Sequence, residues 1–292
     1  MNTAWSSCIQ KTGTLYLSRA LRFSDMFREK YTRAFCIEPD SHILELGCGP
    51  GALSEALHRW YPSASVTGTD ADDAFIEFAR SRNADIDFRT EDATALSFDD
   101  SSFDVTISHT VSEHVEPGKF FAEQRRVLRP GGVCLMLSAR RGIDIPAPCI
   151  EEQSEFEIEL WQRVDARMTE ITRELGVGRY RRSEAGHALD MQSCGFKNIS
   201  TEYITINLTP DNPNYDRETA VAMINSDRQC SLDAIDKMEH LASDLVTRDE
   251  TDELRRLVNE KFDKRISLYD AGVKLWDTNV SLTMILRGEK AL

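Results

Sequence analysis

A glycine-rich turn constrains the fold of this 292-residue chain more than any other sequence feature. Residues 43–51 read ILELGCGPG, an apolar run that ends in glycines at alternate positions. The run is typical of a buried strand, and glycines allow a tight turn and a close approach to a ligand. A helix that begins near residue 51 would point its free N–H groups and its positive dipole end at that ligand. The segment predicts a strand, a turn and a helix, with a ligand site at the turn.

The same alternation continues toward the C-terminus. Short apolar runs predict strands, helical spacing predicts the segments between them, and the turn Arg129-Pro130-Gly131-Gly132 precedes the fifth strand. The predicted strands are 42–46, 64–69, 86–89, 103–108 and 133–138, and the predicted helices are 51–60, 72–82 and 117–128. Strands and helices that alternate at this spacing along the chain indicate an α/β fold, with a parallel sheet and helices on both of its faces.

Helical segments flank this region on both sides. We predict one or two helices within 14–36, helices at 151–175 and 184–193, and a helical segment at about 216–270. Two further strands are predicted at 198–208 and 280–287. The domain prediction is an N-terminal helical cap (1–37), a core (38–208 and 278–292) and a helical insertion (209–277). The insertion would form a substrate lid or an oligomer interface, which leaves a homodimer possible.

Composition limits the partners and the location. The formal charge is −14, and such an acidic surface disfavours nucleic acid, whose phosphates need a basic patch. The seven cysteines include no CxxC pair and are typical of free thiols in a reducing cytoplasm. Closely spaced metal ligands, a signal peptide and an 18-residue apolar stretch are all missing from the sequence. We expect a cytoplasmic protein without metal, membrane span or nucleic-acid partner.

Three acidic residues narrow the ligand at the glycine turn. Glu45 ends a buried strand, where a carboxylate is costly unless a cation pairs with it, and the amino group of S-adenosylmethionine (SAM) would be such a cation. Asp70 ends the second strand and can accept both ribose hydroxyls of an adenosine. Asp92 follows the third strand and would accept from the adenine amine, with the Ala93 N–H donating to the ring. Without these acids the turn also fits a dinucleotide, because Gly47, Gly49 and Ala52 match GxGxxG/A.

Residues 41–139 resemble the class I SAM-dependent methyltransferases, especially the small-molecule group that includes the ubiquinone/menaquinone C-methyltransferases. The matching pieces are ILELGCGPG, VTGTD, EDATALSF, SFDVTISHTVSEHV and RRVLRPGGVCLMLS, in the order of the family. The resemblance implies a doubly wound, Rossmann-like sheet of seven strands, mostly parallel, with the last strand antiparallel. It implies SAM contacts at Glu45, Gly47, Gly49, Asp70, Asp92, Ala93 and His109, to which we add Cys48, Gly51 and Ala71.

One departure from the family pattern concerns the adenine. The family has an apolar residue after the ribose-binding acid, whereas this chain has Ala71 followed by Asp72. Packing on the adenine is therefore expected to be weak or to come from elsewhere, with Leu96 or Phe98 as candidates.

The implied activity is transfer of a methyl group from SAM to a small-molecule acceptor by in-line displacement, leaving S-adenosylhomocysteine (SAH). His109 and His114 are the predicted catalytic bases, with Glu113 and His187 as further candidates. His187 is expected at the surface or half-buried. Tyr16 and Arg19 are predicted to cap SAM, and Tyr180 with Arg181 or Arg182 would meet an acidic acceptor.

Two other functions remain open at this point. A SAM-binding scaffold without turnover would keep the same cofactor contacts, and an NAD(P)-dependent oxidoreductase would use the same glycine turn. The sequence does not identify the acceptor or the atom that is methylated.

Overall fold

The structure, a computed structural model, describes residues 5–292. The strands are His42–Leu46 (β1), Ser65–Asp70 (β2), Asp87–Thr90 (β3), Phe103–His109 (β4), Leu128–Ile145 (β5), Phe196–Leu208 (β6) and Thr278–Lys290 (β7). The helices are Thr12–Arg22 (α1), Arg28–Phe35 (α2), Ala52–Trp60 (α3), Asp73–Arg82 (α4), Pro117–Val127 (α5), Pro148–Glu151 (α6), Glu155–Glu174 (α7), Glu184–Ser193 (α8), Arg217–Leu241 (α9) and Arg248–Asp270 (α10). A π-helical turn covers Trp5–Ile9, and a 3-10 turn covers Asp25–Phe27.

The seven strands form one sheet in the order β3-β2-β1-β4-β5-β7-β6. The pairs among β1 to β5 are parallel, and β7 lies antiparallel between β5 and β6. The predicted mostly parallel, seven-stranded sheet with an antiparallel last strand is confirmed. The order reverses between β1 and β4, the position at which open α/β sheets bind ligands beyond the carboxyl ends of their strands.

Local sequence explains most element boundaries. Asp72 caps α4 by accepting from the N–H of Ala74, and Ser154 with Glu157 forms a capping box at α7. The 14–36 segment forms two helices, α1 and α2, as the prediction allowed. The 216–270 segment divides into α9 and α10 at a second capping box on Thr247, and β5 is longer than predicted at both ends.

Two apolar clusters cover the two faces of the sheet, and a third stands apart. The face under α1 and α2 packs Phe23, Tyr31 and Phe35 onto residues of the sheet. The third cluster joins α7, α9 and α10, with Leu160 and Ile235 fully buried. The predicted boundary at residue 208 assigned α7 to the core, whereas α7 packs with the two helices of the predicted insertion.

A buried cluster of charged side chains connects α10 to the segments that precede α9 and β7. The guanidinium of Arg265, on α10, is fully buried and contacts Asp211 at 3.0 Å and Asp277 at 2.6 Å. Asp211 also accepts the backbone N–H groups of Leu275 and Trp276, just before β7. Within residues 5–292, the helices are too short or too polar to cross a membrane.

Candidate active site

A cavity of about 440 Å³ lies at the carboxyl ends of β1, β2 and β4. Its floor is the glycine turn with the residues that follow β2, β3 and β4, and its cover comes from α1 and the turn Trp5–Ile9. Of the predicted site residues, eleven line it: Arg19, Glu45, Gly47, Cys48, Gly49, Asp70, Ala71, Asp92, Ala93, His109 and His114. The parallel sheet thus brings together side chains that are up to 95 residues apart in the chain.

The glycine turn is fixed by close packing. Gly47 has φ +66°, and a Cβ there would lie 2.3 Å from Cγ2 of Val111. Gly51 has φ +90°, and a Cβ there would lie 3.0 Å from Ala79 and Phe88. Gly51 does not line the cavity, so the structure does not support its predicted contact with SAM. This glycine is needed for the close packing behind the turn.

Asp70 joins the end of β2 to the glycine turn. Its Oδ2 accepts the N–H of Gly49 at 2.8 Å, and its Oδ1 accepts the N–H of Asp72 at 2.9 Å. Burial raises the pKa of this carboxyl to about 6. Each oxygen keeps a second lone pair, and the carboxylate orientation is set before any ligand arrives.

Glu45 lies deeper, at the end of β1, and only 2% of it is exposed. Its Oε2 accepts the hydroxyl of Ser54 at 2.5 Å. Burial, with a smaller effect of the nearby Asp70, raises the pKa of Glu45 to about 8 despite that bond. Because Ser54 is neutral, a positively charged ligand group would still stabilise the ionised carboxylate.

The far end of the cavity is formed by Asp92, Ala93 and Phe75. Oδ1 of Asp92 accepts the N–H of Thr94 at 2.8 Å and its hydroxyl at 2.7 Å. Leu96 and Phe98, the predicted adenine neighbours, are outside the lining: Leu96 is buried, and the ring of Phe98 packs on Phe103. The apolar wall here is Phe75, on the first turn of α4, which the sequence analysis missed.

His109 and Arg19 meet near the middle of the cavity. Burial lowers the pKa of His109 well below its usual value, and Arg19 and Arg22 lower it further. Nη2 of Arg19 donates to the hydroxyl of Thr110 at 3.2 Å. His109 is therefore neutral at physiological pH, with its ring 5.0 Å from that of Phe23.

The structure does not support Tyr16 as part of a SAM cap. Its hydroxyl donates to Glu55 at 2.7 Å, and the Arg82 guanidinium lies over its ring at 4.4 Å. The reason is helical spacing on α1: Leu15 and Arg19, four residues apart, face the cavity, and Tyr16 is turned toward α3 and α4.

Glu113 and His114 line the end of the cavity that Trp5 covers. Nδ1 of His114 accepts the N–H of Gly178 at 2.9 Å, so the neutral ring carries its proton on Nε2. That nitrogen lies 3.9 Å from Oε1 of Glu113, and the Trp5 ring packs edge-on at 4.5 Å. Oε2 of Glu113 is buried without a hydrogen-bond partner within residues 5–292. As a base, Glu113 is therefore better placed than His114, whose Nδ1 is already engaged.

Two further predictions concern His187 and the arginines at positions 181 and 182. His187 is buried rather than surface or half-buried, and burial lowers its pKa. Arg182 pairs with Asp190, whereas Arg181 lies beside Gly178. Across the described range 5–292, no three His, Cys, Asp or Glu side chains cluster as metal ligands would.

The central part of the chain is similar to known proteins. Residues 44–136 match the family model of a methyltransferase domain. The chain is 40% identical over 108 residues to the fatty-acid O-methyltransferase of Mycolicibacterium smegmatis, covering 36% of this chain and 39% of that protein. It is 36% identical over 152 residues to the demethylmenaquinone methyltransferase of Clavibacter sepedonicus, covering 48% and 60%. The chain thus spans less than two thirds of the length of these relatives.

The fold matches solved structures over nearly the whole chain. Phosphoethanolamine N-methyltransferase 2 of Haemonchus contortus, in complex with SAM, superposes with a TM-score of 0.55 over 99% of this chain and 60% of that one, at 16% identity. At such identity the likeness concerns the fold. Residues 44–136 are therefore similar to a methyltransferase domain, and the chain has the fold of that solved structure.

Proposed function

We propose that this protein is a SAM-dependent methyltransferase that acts on a small-molecule acceptor. The observation that carries the proposal is the cavity in which the glycine turn, Glu45, Asp70 and Asp92 converge. In it, Asp70 would accept from the ribose hydroxyls, Asp92 from the adenine amine, and Glu45 would stabilise the positive charge of the amino acid part. The sulfonium supplies an activated methyl group.

The charges of the cavity support SAM over a dinucleotide. Four carboxylates line the part that a nucleotide would occupy, and they are Glu45, Asp70, Glu91 and Asp92. They would repel a pyrophosphate, whereas they would attract a cationic ligand. Glu45 supports SAM most strongly, because a cationic group would stabilise its ionised form, whereas a pyrophosphate beside it would favour only the protonated form.

The acceptor would bind at the opposite end, beside Thr110, Glu113, His114 and Ala139. The cover formed by Trp5 and α1 would exclude water and hold the acceptor in line with the methyl group. If the acceptor atom carries a proton, Oε2 of Glu113 is the group that would receive it. Position favours Glu113 over His114 and over the partly buried His109.

The domain roles and the location are part of the proposal. Residues 1–37 would cap the site, residues 209–277 would supply a lid or a homodimer interface, and the core would comprise 38–208 and 278–292. The seven free cysteines favour a cytoplasmic location.

Calorimetry with SAM and SAH tests the cofactor assignment, and a labelled-methyl assay on cell extract tests transfer. Micromolar binding of both and labelling of a small molecule are expected. Binding without labelling in broad acceptor pools would favour the scaffold, and tight NAD binding in place of SAM would favour the oxidoreductase.

A further inference from the structure

A second cavity lies next to the first, between α7, α9 and the turn at residues 175–181. Its volume is about 1010 Å³, at the upper end of the range typical for small-molecule sites. One wall is apolar, with Trp161, Val164 and Met168 from α7. No function has been given to this cavity so far.

The rim of the second cavity is basic in a protein whose formal charge is −14. Four cationic side chains line it, and they are Arg173, Arg179, Arg181 and Lys237. The carboxylates in the lining are those of Asp165 and Glu174. Within residues 5–292 none of the four cations makes an ion pair within 4.0 Å, whereas neighbouring arginines such as Arg163 and Arg167 do. Burial also lowers the pKa of Lys237, a cost that a bound anion would offset.

The two cavities share a thin wall. Gly178 lines the second cavity, and its N–H donates to His114, which lines the first. The next contact along the wall is the N–H of Tyr180, which donates to the carbonyl of Glu113 at 2.8 Å. Arg181 packs directly on Gly178, since a Cβ at that glycine would lie 2.5 Å from its Nε.

Space in the first cavity is limited once a cofactor is bound. SAM would extend from Asp92 to Glu45, which leaves the end beside Glu113 and His114 for the acceptor. That end borders the shared wall, and the basic rim lies on the other side of the same wall.

We propose that the second cavity binds the anionic end of an amphipathic methyl acceptor, a carboxylate or phosphate joined to an apolar group. The apolar group packs on Trp161 and Met168, and the anion pairs with Arg173, Arg181 and Lys237. The accepting atom lies near Glu113. This inference rests on the proposed methyltransferase function, and it names the substrate class.

Two fluorescent probes test the site. The anionic probe is 8-anilinonaphthalene-1-sulfonate, and the neutral probe is N-phenyl-1-naphthylamine, which lacks the sulfonate. Both are titrated into the protein with SAH at saturation, so that the cofactor end of the first cavity is occupied. The variant is Arg173→Gln/Lys237→Gln. We expect its Kd for the anionic probe to rise at least about tenfold, with binding of the neutral probe unchanged.

The matched control is Arg33→Gln/Lys264→Gln, which removes the same charges elsewhere. Arg33, like Arg173, is an exposed arginine in the last turn of a helix. The control should bind both probes as the unmodified protein does. Equal anionic-probe affinity in the two double variants would overturn the proposal, as would an equal loss for the neutral probe.

A kinetic experiment tests directly whether the second cavity binds the methyl acceptor. The anionic probe should compete with the acceptor labelled in cell extract, and the Arg173→Gln/Lys237→Gln variant should show a raised KM with kcat retained. A probe that binds the second cavity without slowing transfer would refute the assignment to the acceptor. Failure of SAH to bind at all would instead contradict the methyltransferase proposal itself, which keeps the two failures distinct.

Discussion

The carboxylate of Asp70 holds the backbone of Gly49, with 2.8 Å between Oδ2 and the amide nitrogen. The end of β2 is thereby tied to the turn that follows β1. One side chain thus fixes the shape of the glycine turn, and it also presents the lone pairs that we assign to the ribose.

Asp70→Ala should weaken SAM binding about 10- to 1000-fold, because it removes up to two hydrogen bonds to a charged group. Calorimetry measures the affinity, and circular dichroism checks that the variant is folded. Asp85→Ala, at an exposed turn outside the cavity, is the control and should bind SAM normally. Unchanged affinity in Asp70→Ala would show that the ribose contact is assigned to the wrong residue.

SAM binding should release a proton near pH 7 through Glu45. In the free protein the pKa of Glu45 is about 8, so the group is largely protonated at pH 7. A cationic ligand would lower that pKa, and the proton would leave. Calorimetry in two buffers of different ionisation enthalpy counts the protons, and up to about one is expected per SAM. Glu45→Gln should abolish the release; a persisting release would assign it to another group.

The same raised pKa affects stability without ligand. An acid whose pKa is higher in the folded state stabilises the fold fully below its unfolded value, and the contribution is lost as pH rises through the folded value. For Glu45 the window runs from 4.5, the ordinary value, to about 8. Thermal unfolding of the ligand-free protein should therefore show a steeper loss of stability across this window than Glu45→Gln shows.

Gly47→Ala should destabilise the protein by two separable effects. A left-handed backbone costs a non-glycine residue about 1–2 kcal/mol, and the new methyl group would meet Val111. Val111→Ala should restore part of the loss in the double variant. Gly176→Ala is the control, because Gly176 has φ +75° and open space around its Cβ position. Chemical denaturation measures all four proteins, and equal losses for both glycine variants would argue against the clash.

The Arg265 ion cluster should be much more important than a surface ion pair. Arg265→Met leaves Asp211 and Asp277 without their buried cation, and a loss of about 3–5 kcal/mol is expected. Arg217→Met, which breaks the solvent-exposed pair with Asp270, should cost far less. Denaturation of both variants decides the matter, and similar losses would mean that the buried cluster contributes little.

Glu113→Gln should slow methyl transfer by about 100-fold or more while SAM affinity stays the same, if the acceptor loses a proton. His114→Gln should have a smaller effect, because the glutamine oxygen can still accept the N–H of Gly178. Single-turnover assays with labelled SAM separate chemistry from binding. The reverse order of effects would return the role of base to His114.

Much of the fold follows from local sequence patterns. The strands β1 to β4 and the helices α3 to α5 were predicted within about two residues, because each has its own apolar run, cap or glycine turn. The cofactor end of the cavity was also predictable, since the carboxyl ends of parallel strands meet at one edge.

The rest depends on packing between distant segments. Phe75 faces the cavity only because α4 packs at a particular angle, and Tyr16 turns away because Leu15 and Arg19 occupy the inner face of α1. The engagement of His114 requires the turn at Gly178, which is 64 residues further along the chain. A pattern read along the sequence carries no information on such contacts.

The position of β7 has a consequence for how the chain reaches its native state. The strand made last lies between β5 and β6, and β6 joins the sheet through β7. During synthesis, the backbone groups of residues 196–208 can therefore form their sheet hydrogen bonds only after residues 278–290 have left the ribosome. Until then the nascent protein can complete a five-stranded sheet that already carries the glycine turn, while the β6 edge stays open to mispairing.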